Sequence, residues 1–128
     1  MNGNFRKYGL LAIKALIALA FAAAGIAKLM GAEMMVATFD AVGVGQWFRY
    51  VTGIIEVGSA ILLFVPGRQA YAAALLVCTM IGAVLAHIFL IGPSAVPAII
   101  LGVLSAVVLY NHRDQLSGGH SLQTPKTT

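Results

Sequence analysis

Charge is scarce in this 128-residue chain: 9% of the residues are Asp, Glu, Lys or Arg, and only four of them are acidic. A water-soluble domain this small exposes much of its surface and needs far more polar cover. A soluble globular fold is therefore excluded. Cysteine is nearly absent as well. Cys78 stands alone inside an apolar run, so the chain forms no disulfide within itself and carries no CxxC-type dithiol chemistry. It reads as a small core residue. His87, His112 and His120 lack metal-ligand spacing, so no metal site is expected. Only His87 falls within an apolar run, which leaves an intramembrane haem without its second axial ligand. Gly43-Val44-Gly45 lacks the strand and helix context of a nucleotide loop. The basic excess, eight against four, is spread over the ends of apolar runs and reads as a topology signal, with no nucleic acid among the expected partners.

What the chain has in abundance is apolar length: 60% of it is hydrophobic and the mean hydropathy is +0.93. Four stretches, 8–30, 47–65, 70–91 and 95–110, are about as long as membrane helices need to be, the last being the shortest. Pro66-Gly67 ends the second, and Gly92-Pro93-Ser94 separates the third from the fourth. Pro97 falls in the first turn of the fourth, where its missing N–H costs little. Between the first two, Met35, Phe39 and Val42 recur at helical spacing beside Glu33 and Asp40, which predicts a short helix lying in the interface. The expected fold is all-α: an integral membrane four-helix bundle with an interfacial helix between helices 1 and 2, forming a single domain over 1–110.

Arg6, Lys7, Arg68, Arg113 and Lys126 share one side with only Asp114 opposed, so the positive-inside rule places both termini in the cytoplasm of an inner-membrane protein. The polar tail, 111–128, has no apolar face and is expected to be disordered. A signal peptide is the competing reading of the first span, because Arg6-Lys7 precede a run that reaches Ala22-Ala23-Ala24. Lys14 interrupts that run, and its continuation to Met30 favours a span. Lys14 is close enough to the cytoplasmic side to snorkel. Trp47 and Tyr50 are expected as interfacial anchors.

An ionisable group inside a membrane costs roughly 2.5–3.5 kcal/mol on insertion scales and asks for a partner. Glu56 lies near the middle of the second span, too deep to snorkel. Thr52, Glu56 and Ser59 share its inward face, with Gly53 and Gly58 leaving room for another backbone. Lys28, near the outer end of the first span, and His87, near that of the third, occupy the same half of the membrane, which predicts that Lys28, Glu56 and His87 converge on one cavity. Either they only fix helix packing or they form a site, with Glu56 and His87 as catalytic candidates and Lys28, Thr52 and Ser59 as ligand-binding ones. Ala74, Cys78, Gly82 and Ala86 repeat every four residues as a seam for close helix contact.

Ala24-Gly25-Ile26-Ala27-Lys28-Leu29, Phe39 through Gly43, Gln46-Trp47, and the run from Gly53 through Glu56 to Pro66, followed by Met80-Ile81-Gly82-Ala83-Val84 and His87, resemble the DoxX-like family of small membrane proteins. The resemblance covers roughly residues 10–110. It implies a four-helix bundle with the family's polar positions on Lys28, Glu56 and His87. It also implies links to membrane redox complexes, including a thiosulfate:quinone oxidoreductase subunit, and more distantly to proteins that assist receptor assembly. Without a flavin motif, paired cysteines or a covalent cofactor, a redox role needs a quinone or an oxidoreductase partner.

Three readings follow. One is a component of a redox or oxidant-detoxifying system with a quinone-like ligand near Glu56 and His87. Another is an assembly or scaffold protein. The third is a proton-coupled transporter built as a homo-oligomer. Membrane lipids are partners in all three. The topology is tested by labelling on a Cys78→Ala background. Asp40→Cys is expected to react with an impermeant maleimide in intact cells and Gln123→Cys only after lysis; the reverse pattern inverts the orientation.

Overall fold

Leu, Ile and Ala, all compatible with an uninterrupted helix, fill the first thirty residues, and the computed structural model, which describes residues 3–92 and 94–116, opens with one continuous helix, α1 (Gly3–Met30). Its buried residues, Ile17, Phe21 and Gly25, recur every four positions and so form one stripe. Gly31, at φ +70°, ends it in the left-handed region that glycine enters without strain. The interfacial segment forms α2 (Glu33–Val42), closed by Gly43 at φ +81°, whose N–H bonds Phe39 O. Its inward side holds buried Phe39 and half-buried Met35 and Val42. Phe39 packs edge-on against Phe48 with ring centroids 6.1 Å apart.

α3 (Trp47–Leu62) buries Arg49, Gly53, Glu56, Ser59 and Ala60, a helical face in steps of three and four. It stops three residues short of the expected 65. Proline disfavours helical backbone at the residue before it, and the chain tightens ahead of Pro66 through short turns in which Phe64 N–H bonds Ile61 O and Val65 N–H bonds Leu62 O. Gly67, at φ +82°, completes the reversal. α4 (Gln69–Ala86) runs on into a π-helical turn, His87–Ile91, which Gly92 closes by donating its N–H to His87 O. α5 (Val96–Asn111) begins with Pro97 in its first turn. A 3-10 turn, Arg113–Gln115, follows.

Among the described residues the chain is all-helical. α1 packs on α3, α3 on α4, α4 on α5 and α5 back on α1, while α2 rests on α3 and the π-helical turn. The core between them holds Ile17, Phe21, Ala60, Leu76 and Val108. α1 and the continuous helix Gln69–Ile91 are long and apolar enough to cross a membrane. α3 and α5 have 16 residues each, about 24 Å of rise. Trp47 and Tyr50 are exposed, at the entrance to α3.

Two packing expectations are corrected. Cys78 is exposed, not core, and the seam to which it belongs points outward: Gly82 is exposed, with nothing within 4 Å of an added Cβ. α4 instead buries Ala70, Ala72, Ala73, Leu76 and Met80. Its close contact with α5 is Met80 against Gly102, where an added Cβ would stand 3.2 Å from Met80 Cβ. Four-residue spacing marks a face without saying which neighbour it meets. The expectation of disorder from Asn111 onward does not describe residues 111–116. There Gln115 accepts the Ala70 N–H at 2.9 Å, capping the start of α4. The rest of the tail, including His120 and Lys126, lies outside the described residues.

The closest backbone approach is between α1 and α3. A Cβ on Gly25 would fall 2.6 Å from Val57 Cγ2 and 2.9 Å from Gly53 O, and one on Gly53 would fall 3.1 Å from Gly25 O. The spacing expected of Gly53 is present, whereas Gly58 is exposed with nothing near it. Gly53→Leu is therefore expected to cost about 1–3 kcal/mol through overpacking against backbone. Gly58→Ala is expected to leave stability unchanged or raise it by up to about 1 kcal/mol. Thermal unfolding in detergent measures both.

Candidate functional site

The glycine contact brings α1 and α3 close enough for Lys28 and Glu56 to meet. Lys28 Nζ donates to Glu56 Oε1 at 2.6 Å, with the carboxylate side chain 2% exposed and the lysine 14%. Burial of a lone charge is prohibitive, so each group is tolerable there because the other is present. Lys28 stands two residues before the end of α1 and Glu56 nine residues into α3, about 13 Å of rise. The four-carbon lysine stem spans the offset in depth.

A third member was not anticipated as a site residue. Arg49 is 5% exposed and donates Nη1 to the carbonyl of Lys28, which also accepts the Gly31 N–H at 3.3 Å in the turn that ends α1. Arg49 Nε also donates to Gln46 Oε1 at 2.8 Å. Gln46 Nε2 donates in turn to Val36 O at 3.0 Å and Asp40 Oδ1 at 2.8 Å. A chain of side-chain bonds thus runs Asp40, Gln46, Arg49 and ends on the Lys28 backbone carbonyl, next to the separate Lys28–Glu56 bond. The signal was present in the sequence: Arg49 precedes Glu56 by seven residues, two helical turns, and so shares its face.

Of the remaining candidates, Thr52 bonds its own helix, donating to Phe48 O and Arg49 O at 3.1 Å each. Ser59 is different. It lies one turn beyond Glu56 on the buried face, 2% exposed, and its hydroxyl has no hydrogen-bond partner. Serines inside helices ordinarily bond the carbonyl four residues back, as Ser105 does to Leu101 O at 2.8 Å. A buried hydroxyl left without a partner costs roughly 1–3 kcal/mol.

His87 is half-buried at the start of the π-helical turn, a feature frequent at functional sites. That turn packs on α2. Of the open grooves, one of about 300 Å3 lies between α4 and α5 and is lined by apolar residues such as Met80, Val84 and Val103. Another lies between α1 and α5. Neither includes Lys28, Glu56 or His87. Lys14 is not simply extended toward solvent; its Nζ stands 3.5 Å from His112 Nε2. Among the described residues no cluster of His, Cys, Asp and Glu has the makings of a metal site.

The helical order, the Gly25–Gly53 contact and the Lys28–Glu56 pair fall within one continuous match: residues 12–109 fit the sequence pattern of the DoxX-like family. The chain belongs to the DoxX-like family. No curated protein and no solved structure matches the chain significantly. Within this DoxX-like protein the ion pair is the feature that mutation interrogates most directly. Lys28→Met strands a buried carboxylate and is expected to destabilise the fold by about 3–5 kcal/mol, while adding Glu56→Gln recovers much of the loss. A double-mutant cycle by unfolding in detergent or lipid checks this; additivity within about 0.5 kcal/mol would mean that the two side chains are uncoupled.

Proposed function

We propose that this is a multi-pass protein of the inner membrane, a four-helix bundle with cytoplasmic termini, serving a membrane redox or oxidant-detoxifying system by holding a quinone-like molecule at Glu56 and Ser59. The observation that carries the reading is the Ser59 hydroxyl, buried and without a partner one turn from a buried ion pair. A quinone carbonyl is the kind of acceptor this hydroxyl lacks, and an apolar ring suits the apolar side chains around it.

When bound, a quinone would supply an electron acceptor that takes up two electrons and two protons. The electrons would come from an oxidoreductase partner, because the sequence has one cysteine and no flavin motif. Ser59 Oγ–H and the Lys28 ammonium are the donors that hold a carbonyl oxygen. Glu56 would be the acid–base group that passes a proton, and Lys28 is the more exposed member of the pair.

A second reading, an assembly or scaffold protein, draws on a specific observation. Lys28 and Glu56 already bond each other, and the Ala74–Gly82 seam faces outward, where a partner helix reaches it. On that reading Glu56→Gln lowers protein level and oligomer recovery, and quinone has no effect.

Calorimetric titration of the purified protein in lipid nanodiscs with a short-tailed benzoquinone separates the two. Saturable binding is expected, weakened about fivefold to tenfold in Ser59→Ala by loss of one hydrogen bond. Absence of saturable binding, or equal affinity in Ser59→Ala, overturns the quinone reading.

A further inference from the structure

α1 begins and α5 finishes at the same end of the molecule, where Arg6 Nη2 and Nε donate to Asn111 Oδ1 at 2.7 and 3.3 Å. Beside that link lies an open groove of about 210 Å3, with Leu10, Ile13 and Val107 along it and Gly9 on its wall. A Cβ on Gly9 would meet nothing within 4 Å, so the missing side chain keeps the groove open. Arg6 and Asn111 are the polar residues of its lining.

Charge at this end is almost of one sign. Arg6, Lys7, Arg68 and Arg113 are exposed and Lys14 and His112 half-buried, against Asp114 as the one carboxylate at this end among the described residues. Lys14 and His112 each follow a groove residue in the chain, Ile13 and Asn111.

Hydrogen bonding around His112 sharpens the imbalance. Gln69 Oε1 accepts the Gly67 N–H at 3.1 Å and Gln115 Nε2 at 2.7 Å, while Gln115 Oε1 accepts the Ala70 N–H at 2.9 Å. Two backbone donors thereby fix both amides, and it is the Gln115 nitrogen that faces His112 Nδ1 at 3.4 Å. Nε2 faces the Lys14 ammonium at 3.5 Å. Both ring nitrogens thus face donors, and a neutral ring accepts from only one of them, so either tautomer leaves one donor facing an N–H. Burial first, and the Lys14 charge second, hold the His112 pKa below its ordinary value.

We propose that the α1–α5 groove binds an anionic phospholipid, its phosphate held by Arg6, Lys14 and His112 and an acyl chain laid along Leu10, Ile13 and Val107. A phosphate oxygen is the further acceptor that this donor-rich cluster of Lys14, His112 and Gln115 is short of, and its charge offsets the basic excess. Free phosphate has the oxygens but no body for the groove. A zwitterionic lipid fills the groove but adds another cation to a basic cluster. The proposal is independent of the Glu56 site, which lies toward the opposite end of α1.

Native mass spectrometry of the full chain, incubated with equal amounts of phosphatidylglycerol and phosphatidylcholine in neutral detergent, tests it. Preferential retention of phosphatidylglycerol is expected, unaffected by millimolar inorganic phosphate. Lys14→Gln lowers the preference about fivefold, and Lys14→Arg restores it. Gly9→Leu abolishes retention with no change of charge. That substitution has open space and raises helix propensity, so the fold survives it, as circular dichroism verifies. Equal retention of the two lipids, displacement by inorganic phosphate, or full retention in Gly9→Leu overturns the proposal.

Discussion

The arrangement depends on one contact, the ion pair of Lys28 and Glu56 in a largely apolar interior. Each charge is costly to desolvate, so a packing that separates them is penalised far more than one that misplaces a methyl group. The pair therefore selects one register of α1 against α3, which the apolar side chains alone specify weakly. Gly25 and Gly53 make that register sterically possible by removing the two Cβ atoms that would collide with the opposite helix. Charge chooses the alignment and glycine permits it.

The two ends of the helical array solve different problems with polar residues. At the α2 end, Gln46 and Arg49 bond one another and backbone carbonyls of α1 and α2, so a buried guanidinium is accommodated by acceptors on two helices. At the other end, Gln69 and Gln115 satisfy backbone N–H groups at the turn into α4. The amides there leave His112 and Lys14 facing each other. One end is close to internally balanced, whereas the other is rich in donors and positive charge.

Much of this was legible where a residue has one physical option. Pro66-Gly67 had to break a helix, Phe39 and Met35 had to share a face, and Glu56 at mid-helix had to find a cation. Legibility failed where several neighbours compete for a face. The Ala74 to Ala86 seam satisfies the rule for close packing, but α4 meets its neighbours through Ala72, Ala73, Leu76 and Met80, and nothing in a four-residue spacing decides between the two sides. Arg49, near a helix entrance, has the sequence position of an ordinary interfacial charge. Its partner is a backbone carbonyl 21 residues earlier, and backbone acceptors leave no mark in side-chain patterns. Gln115 was hidden for the same reason, since it looks like tail until the open N–H groups of α4 are counted. Ser59 was placed on the correct face, but whether a hydroxyl bonds its own helix is set by rotamer and neighbours.

The Arg49 bond to Lys28 O has a consequence for the segment between α1 and α3. The residue that begins the ion pair and the residue that anchors the start of α3 are stitched together directly, so the intervening excursion through α2 closes a loop whose base is already fastened. Lengthening a loop adds only about (3/2)RT ln n to its closure entropy, and the fastening keeps that change from reaching the charges beneath. Added length in the excursion is thus tolerated where it leaves Phe39 on Phe48 and Gln46 on Val36 and Asp40, the contacts that tie α2 to that base.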